Sequence, residues 1–153
     1  MEKYAIPKIG HPLLDAEHET MLGFAGLCTI SCPHLESRQD CDGCIDGKPE
    51  QCRDGLHNIL GHVLPYIQQH FEEEESLMKQ AILNVKDPMH MPVHLSTHNR
   101  LLQQFRAVAA ELNKASTGNY MVRKTRQLHD LITHELLDHI YQADEKLIPH
   151  MVK

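Results

Sequence analysis

Among the metal-ligating side chains that stand four residues apart in this chain are His70 with Glu74 and His94 with His98, in a sequence where 13 of 153 residues are His. Residues four apart on an α-helix are separated by one turn plus about 40° of rotation, so their side chains leave one face at adjacent levels. Such a pair can hold one metal ion or two neighbouring ones. His18 falls on an apolar stripe with Leu14, Met21, Leu22 and Ala25, and His139 falls among Leu136, Ile140 and Ala143. A lone His on such a stripe is more often a hydrogen-bonded core residue. Four separate stretches each offering an inward imidazole is another matter. Imidazole suits Fe, Zn, Cu and Ni, and a carboxylate can bridge two ions, so a mixed nitrogen and oxygen set inside a helical bundle favours a pair of iron-type ions.

The run Glu72-Glu73-Glu74-Glu75 reads by default as a solvated face, and within it only Glu74 has the four-residue offset from His70. Spacing alone leaves the last stretch open, because His134 with Asp138 and Glu135 with His139 are both four apart. His134-Glu135-Leu136-Leu137-Asp138 departs from the zinc-protease pattern by ending in Asp where that pattern needs His, so a protease is not expected.

The elements that must position these groups are four helices. The pattern predicts the first from about His11 to Leu27, with Pro12 in its first turn, and the second from about Asp54 to Leu83, with Leu56, Leu60, Val63, Ile67, Phe71, Met78 and Ile82 buried and a kink at Pro65. A third begins near Pro92, which leaves His90 in a loop, and carries Leu95, Leu101, Leu102, Phe105, Val108 and Leu112 before stopping near Ser116-Thr117-Gly118-Asn119. The fourth runs from about Tyr120 to Ile148, with Leu128, Leu131, Ile132, Leu136, Ile140 and Leu147 inward, and ends at Pro149. The expected fold is all-α, an antiparallel up-down-up-down four-helix bundle. It forms a single domain over residues 1–153 with a Cys-rich insertion at about 28–53 between the first two helices. At this length one core suffices without disulfides.

Composition removes several classes of function. With 15 basic against 21 acidic residues and a net charge of -6, no basic stripe is available to meet phosphate, so nucleic acid is not an expected partner. No stretch reaches 18 apolar residues and the N-terminus does not read as a signal peptide, so a membrane is not expected and a cytoplasmic location is.

Taken together, Ile9-Gly10, Leu14-Asp15-Ala16-Glu17-His18, His70-Phe71-Glu72-Glu73-Glu74-Glu75-Ser76-Leu77-Met78, His94-Leu95-Ser96-Thr97-His98, and His139-Ile140 followed by Asp144 resemble, in chain order, the bacterial hemerythrin family. The resemblance spans nearly all of the chain except the cysteine segment. It implies two iron ions with an oxo or hydroxo bridge: His94, His98 and His139 on one, His18 and His70 on the other, and Glu74 and Asp144 bridging. Asp144 rests on the family alone, since an offset of five from His139 is about 140° around an ideal helix and needs a π-type turn or side-chain reach. The resemblance further implies reversible dioxygen binding at the iron with fewer protein ligands, and it matches Leu136 and Ile140 to positions lining the oxygen pocket. The chain lacks the Trp residues common in the family near the N-terminus and before the last ligand His, a departure that bears on pocket shape and not on the ligands.

Cys28, Cys32, Cys41, Cys44 and Cys52 carry a second kind of chemistry. Four thiolates could form a tetrahedral zinc site with His34 as a spare ligand, while Cys41 and Cys44, the only C-x-x-C pair, could instead act as a redox switch. Cys28 and Cys32 could also be small buried hydrophobes. Of the other histidines (His11, His34, His57, His62, His90, His129, His134 and His150), most should be surface or capping residues, with His62 and His134 as candidate hydrogen-bond partners of the site.

The leading function is oxygen storage, delivery or sensing rather than catalysis. Sensing would require a signalling partner or effector domain. The alternatives are a di-iron enzyme or redox sensor handling peroxide or nitric oxide, an iron-donating repair protein, and a metal-responsive interaction module. The sequence leaves the oligomeric state open.

Overall fold

The computed structural model describes residues 11–42, 44, 49–79, 90–112 and 120–140. Four helical rods make up the fold: α1 (Pro12–Ser31), α2 (Pro49–Lys79), α3 (His90–Leu112), and a fourth built from α4 (Met121–Asp130), a π-helical segment (Leu131–Leu136) and α5 (Leu137–His139). The fourth is one continuous rod, since the residues at its internal junctions, Leu131 and Leu137, keep right-handed helical dihedrals. Among the described residues there is no strand.

Local chemistry explains the boundaries. His11 caps α1, its Nδ1 accepting from the Leu14 N–H at 3.4 Å, and Pro12 follows where its missing N–H costs nothing. The first helix extends past Leu27 to Ser31 because Cys28 is a fully buried side chain that continues the apolar stripe. In α2 the helix passes unbroken through Pro65. Pro65 cannot donate to the carbonyl of Gly61, but both residues are exposed, so water can satisfy that carbonyl.

One expectation fails at α3. His90 is helical rather than in a loop, because Pro92 sits only two residues further on, within the first turn, where N–H groups lack intrahelical partners in any case. The expected ends of the second and fourth helices at Leu83 and Ile148, the turn at 116–119, and Pro149 lie outside the described residues.

Packing closes the rods into a ring: α1 lies against α2, α2 against α3, α3 against the fourth rod, and the fourth rod back against α1. The stripe residues meet in one core, including Met21, Leu22, Leu60, Val63, Phe71, Phe105, Leu128 and Leu136. Each such side chain contributes on the order of 1.5–3 kcal/mol when buried. Leu95 and Leu102, expected inward, are only half-buried at the flanks.

Direction follows from where the histidines gather. His18 is early in α1, His70 late in α2, His94 early in α3 and His139 at the end of the fourth rod, yet all meet at one place. Successive rods therefore run antiparallel, up-down-up-down.

Candidate metal centre

Glu74 is the hub. It is completely buried, and its two carboxylate oxygens face different histidines. Oε1 stands 2.5 Å from His94 Nε2, 3.2 Å from His98 Nε2 and 3.9 Å from His139 Nε2. Oε2 stands 3.3 Å from His70 Nε2 and 4.0 Å from His18 Nε2. The ligand atoms form two groups that share Glu74, one with His94, His98 and His139 and one with His18 and His70, each spanning no more than 4.8 Å. The four-residue spacings seen in the sequence produce this directly: His70 with Glu74 from α2, and His94 with His98 from α3.

Aromatic packing holds the rings in place. Phe71 stacks on His98 with centroids 3.8 Å apart and planes within 4°, which fixes the imidazole in rotation. His18 meets His70 edge-on at 4.8 Å, and His94, His98 and His139 meet one another edge-on at 4.5 to 4.8 Å.

This donor set fits metal. Five imidazoles around one carboxylate, each at most 5% exposed, would be a costly interior without a cation to draw on their lone pairs. His98 Nε2 faces His139 Nε2 at 3.0 Å, the convergence expected of two nitrogens aimed at one ion. Burial alone would push the Glu74 carboxyl up, but hydrogen bonds from His139, His70, His94 and His98 outweigh it and hold the group well below the usual carboxylate range. The shift favours the charged carboxylate, the form that can ligate a metal.

Behind the donors stand two further carboxylates that spacing did not single out. Glu17 Oε1 lies 3.4 Å from His70 Nδ1, and Glu75 Oε1 lies 2.9 Å from His98 Nδ1. Each can fix the tautomer that leaves Nε2 free to ligate. The solvated-face reading of Glu75 is therefore corrected: its side chain is one quarter exposed and turned toward α3. Glu17, one residue before His18, is buried at 8% exposure. Burial, with the Glu73 carboxyl beside it, pushes Glu17 up, against the downward pull of His70.

The partners expected from the spare histidines are also corrected. His62 is exposed, and His134 is 72% exposed beside Asp130, because both project from the solvent side of their rods. His129, by contrast, is buried. Leu136 and Ile140 are fully buried on either side of His139 in the chain. The π-helical segment ends at Leu136, three residues before His139, a placement common for such widened turns near functional sites. Its Thr133 hydroxyl is satisfied by the His129 carbonyl at 3.0 Å. Asp144 lies outside the described residues.

The cysteines divide. Cys28 is part of the core and its thiol is pushed up to about 12 by burial. Cys32, Cys41, Cys44 and Cys52 instead surround a cavity of about 20 Å³ beside Met121, Val122 and Thr125 of α4. Cys28 lies within α1 and Cys52 within α2, so the connector between these helices is shorter than the expected 28–53.

Among the described residues no helix is long and apolar enough to cross a membrane. No curated protein and no solved structure matches the chain. The hemerythrin HHE cation-binding domain matches residues 10–151, almost the whole length. With the buried histidine and glutamate cluster in place across all four rods, this match establishes that the chain belongs to the hemerythrin HHE cation-binding family.

Proposed function

We propose that this protein binds dioxygen reversibly at a non-haem di-iron centre, as a storage, delivery or sensing protein rather than an enzyme. The observation that carries the reading is the division of Glu74, one oxygen toward three histidines and the other toward two. A carboxylate placed between two unequal nitrogen sets suits two ions of unequal coordination. The ion beside His18 and His70 has fewer protein ligands, which leaves room there for a small ligand. A pair of ferrous ions in this pocket would supply reversible two-electron chemistry toward dioxygen.

The chain's own residues do the rest. His94, His98 and His139 would hold one ion and His18 and His70 the other, with Glu74 and Asp144 as the carboxylates shared between them. Ile140, next to His139, is the last described residue and carries the π-type backbone pattern, which favours the five-residue reach that Asp144 requires. Leu136 and Ile140 line the ligand pocket and exclude water and anions, which slows irreversible oxidation. Glu17 and Glu75 hold the rings of His70 and His98. Residues 1–153 act as one domain, and a sensing role would require an effector partner.

The test is a cycle of air and vacuum on reduced, iron-loaded protein followed by visible absorption. The reading expects a new charge-transfer band that disappears when oxygen is withdrawn. Oxidation with no returning reduced state would instead assign the centre to a di-iron enzyme or redox sensor. For the pocket, Leu136→Ala should quicken autoxidation; an unchanged rate would remove Leu136 from it.

A further inference from the structure

At the end of the bundle away from the histidines, four cysteines from three parts of the chain line one cavity. Cys32 ends α1 as its C-cap residue, Cys52 lies in the first turn of α2, and Cys41 and Cys44 come from the connector between them. All four line one small cavity closed by the start of α4. A volume of about 20 Å³ exceeds the roughly 10–15 Å³ that a single water-sized sphere occupies, so the space suits one atom and not an organic ligand. From Thr125 at this cavity to His139 the fourth rod rises roughly 20 Å, so the thiols are separate from the metal centre described above.

We propose that Cys32, Cys41, Cys44 and Cys52 bind one zinc ion in a tetrahedral site that clamps the end of α1 to the start of α2. Thiolate sulfur selects soft or borderline ions, and four of them make a closed structural zinc site. The backbone already has local features that suit it. The Cys44 N–H donates to the Cys41 carbonyl at 3.1 Å, folding the C-x-x-C pair into a turn, and the backbone of His34 hydrogen-bonds the Cys32 thiol.

Charge supports the assignment as well. Zinc with four thiolates carries a net charge of about -2, and three arginines are gathered here. Arg38 lines the cavity and binds the carbonyls of Asp40 and Asp42 around the turn. Arg126 of α4 binds the carbonyls of Leu35 and Arg38, and Arg123 binds that of Gln39 at 2.6 Å. These bonds dock the connector on α4 up to residue 39.

Among the described residues only the two histidine groups bring three or more ligand atoms within 4.8 Å of one another. A tetrahedral shell with Zn–S near 2.3 Å needs sulfurs about 3.8 Å apart. Cys41 and Cys44 lie beyond the carbonyls that α4 holds, and these are the two thiols that binding would draw inward. Binding exchanges four thiol protons for one Zn²⁺, with no change of oxidation state.

The experiment is metal analysis of whole protein purified without chelators from zinc-supplemented cells, followed by organomercurial titration with a zinc-binding dye. The expected result is about one zinc per chain, released as four thiols react. Cys41→Ser with Cys44→Ser should lose the zinc while keeping iron, and Cys28→Ala should keep both. Should the double variant not fold, Cys52→Ser alone should still lower zinc occupancy. Protein with intact iron but no zinc, disulfides among these four residues, or iron bound to the thiols would each overturn the proposal. So would loss of zinc on Cys28→Ala without loss on Cys52→Ser.

Discussion

The two ends of this bundle hold their ligating side chains by different means. At the histidine end every donor comes from a helix, each is buried, and rings and carboxylates are already in mutual contact. At the cysteine end two of the four thiols come from a connector that arginines dock through its backbone carbonyls, and all four are only part-buried. Helix packing positions every donor of the first site. On the zinc proposal, binding would draw the second together, as is usual where binding energy supplies folding energy. Placement on rigid rods preserves ligand geometry, whereas placement on a connector makes the local fold depend on the ion.

The largest expected effect comes from removing the hub. Glu74→Ala should reduce bound iron from two per chain to near none, measured by metal analysis, because both halves of the site lose their shared oxygen; two irons retained would break the contrast drawn here. Next is Leu136→Ala, which empties part of a fully buried position beside His139 and should cost about 2–5 kcal/mol in denaturant unfolding. A loss well under 1 kcal/mol would mean that the histidine end is less rigidly packed than described.

Glu75→Ala, which frees the His98 ring, should weaken iron binding roughly 10–100-fold in a competition titration. An equal loss from His134→Ala, at an exposed position, would refute the specific role of Glu75. At the boundary between the two ends, Cys28 offers a pH test. Its thiol stays protonated up to about 12 when folded, against an ordinary value of 9.0. The unfolded chain therefore loses this proton first, and stability falls as pH rises from about 9 toward 12. Cys28→Ala should flatten that slope, while an identical slope would show that Cys28 is not buried as described. The smallest effect is Gly61→Ala, which meets nothing within 4 Å on an exposed helical face and should stabilise by about 0.5–1 kcal/mol.

The site was legible in the sequence to the extent that helical period encodes it. His70 with Glu74 and His94 with His98 follow from a four-residue offset, and the stripe around His18 is buried as its spacing requires. Period alone could not select the carboxylates behind the rings. Glu17 and Glu75 sit directly beside His18 and Glu74 in the chain, and their carboxylates reach across to His70 and His98 on other helices. Such contacts depend on inter-helix register, which a one-dimensional pattern does not contain. His90 shows a second limit: Pro92 marks a helix start only to within a turn, since every N–H of that turn lacks a partner. The placing of four cysteines around one cavity likewise depends on how the connector docks on α4.

Anaerobic titration of the metal-free protein with ferrous ion, read by an iron-sensitive spectroscopy such as magnetic circular dichroism, tests the central claim most directly. The account predicts saturation at two irons per chain, with the two ions distinguishable by coordination and magnetically coupled through their bridge. Saturation at a single iron, or two ions showing no coupling, would contradict a carboxylate shared between two histidine sets.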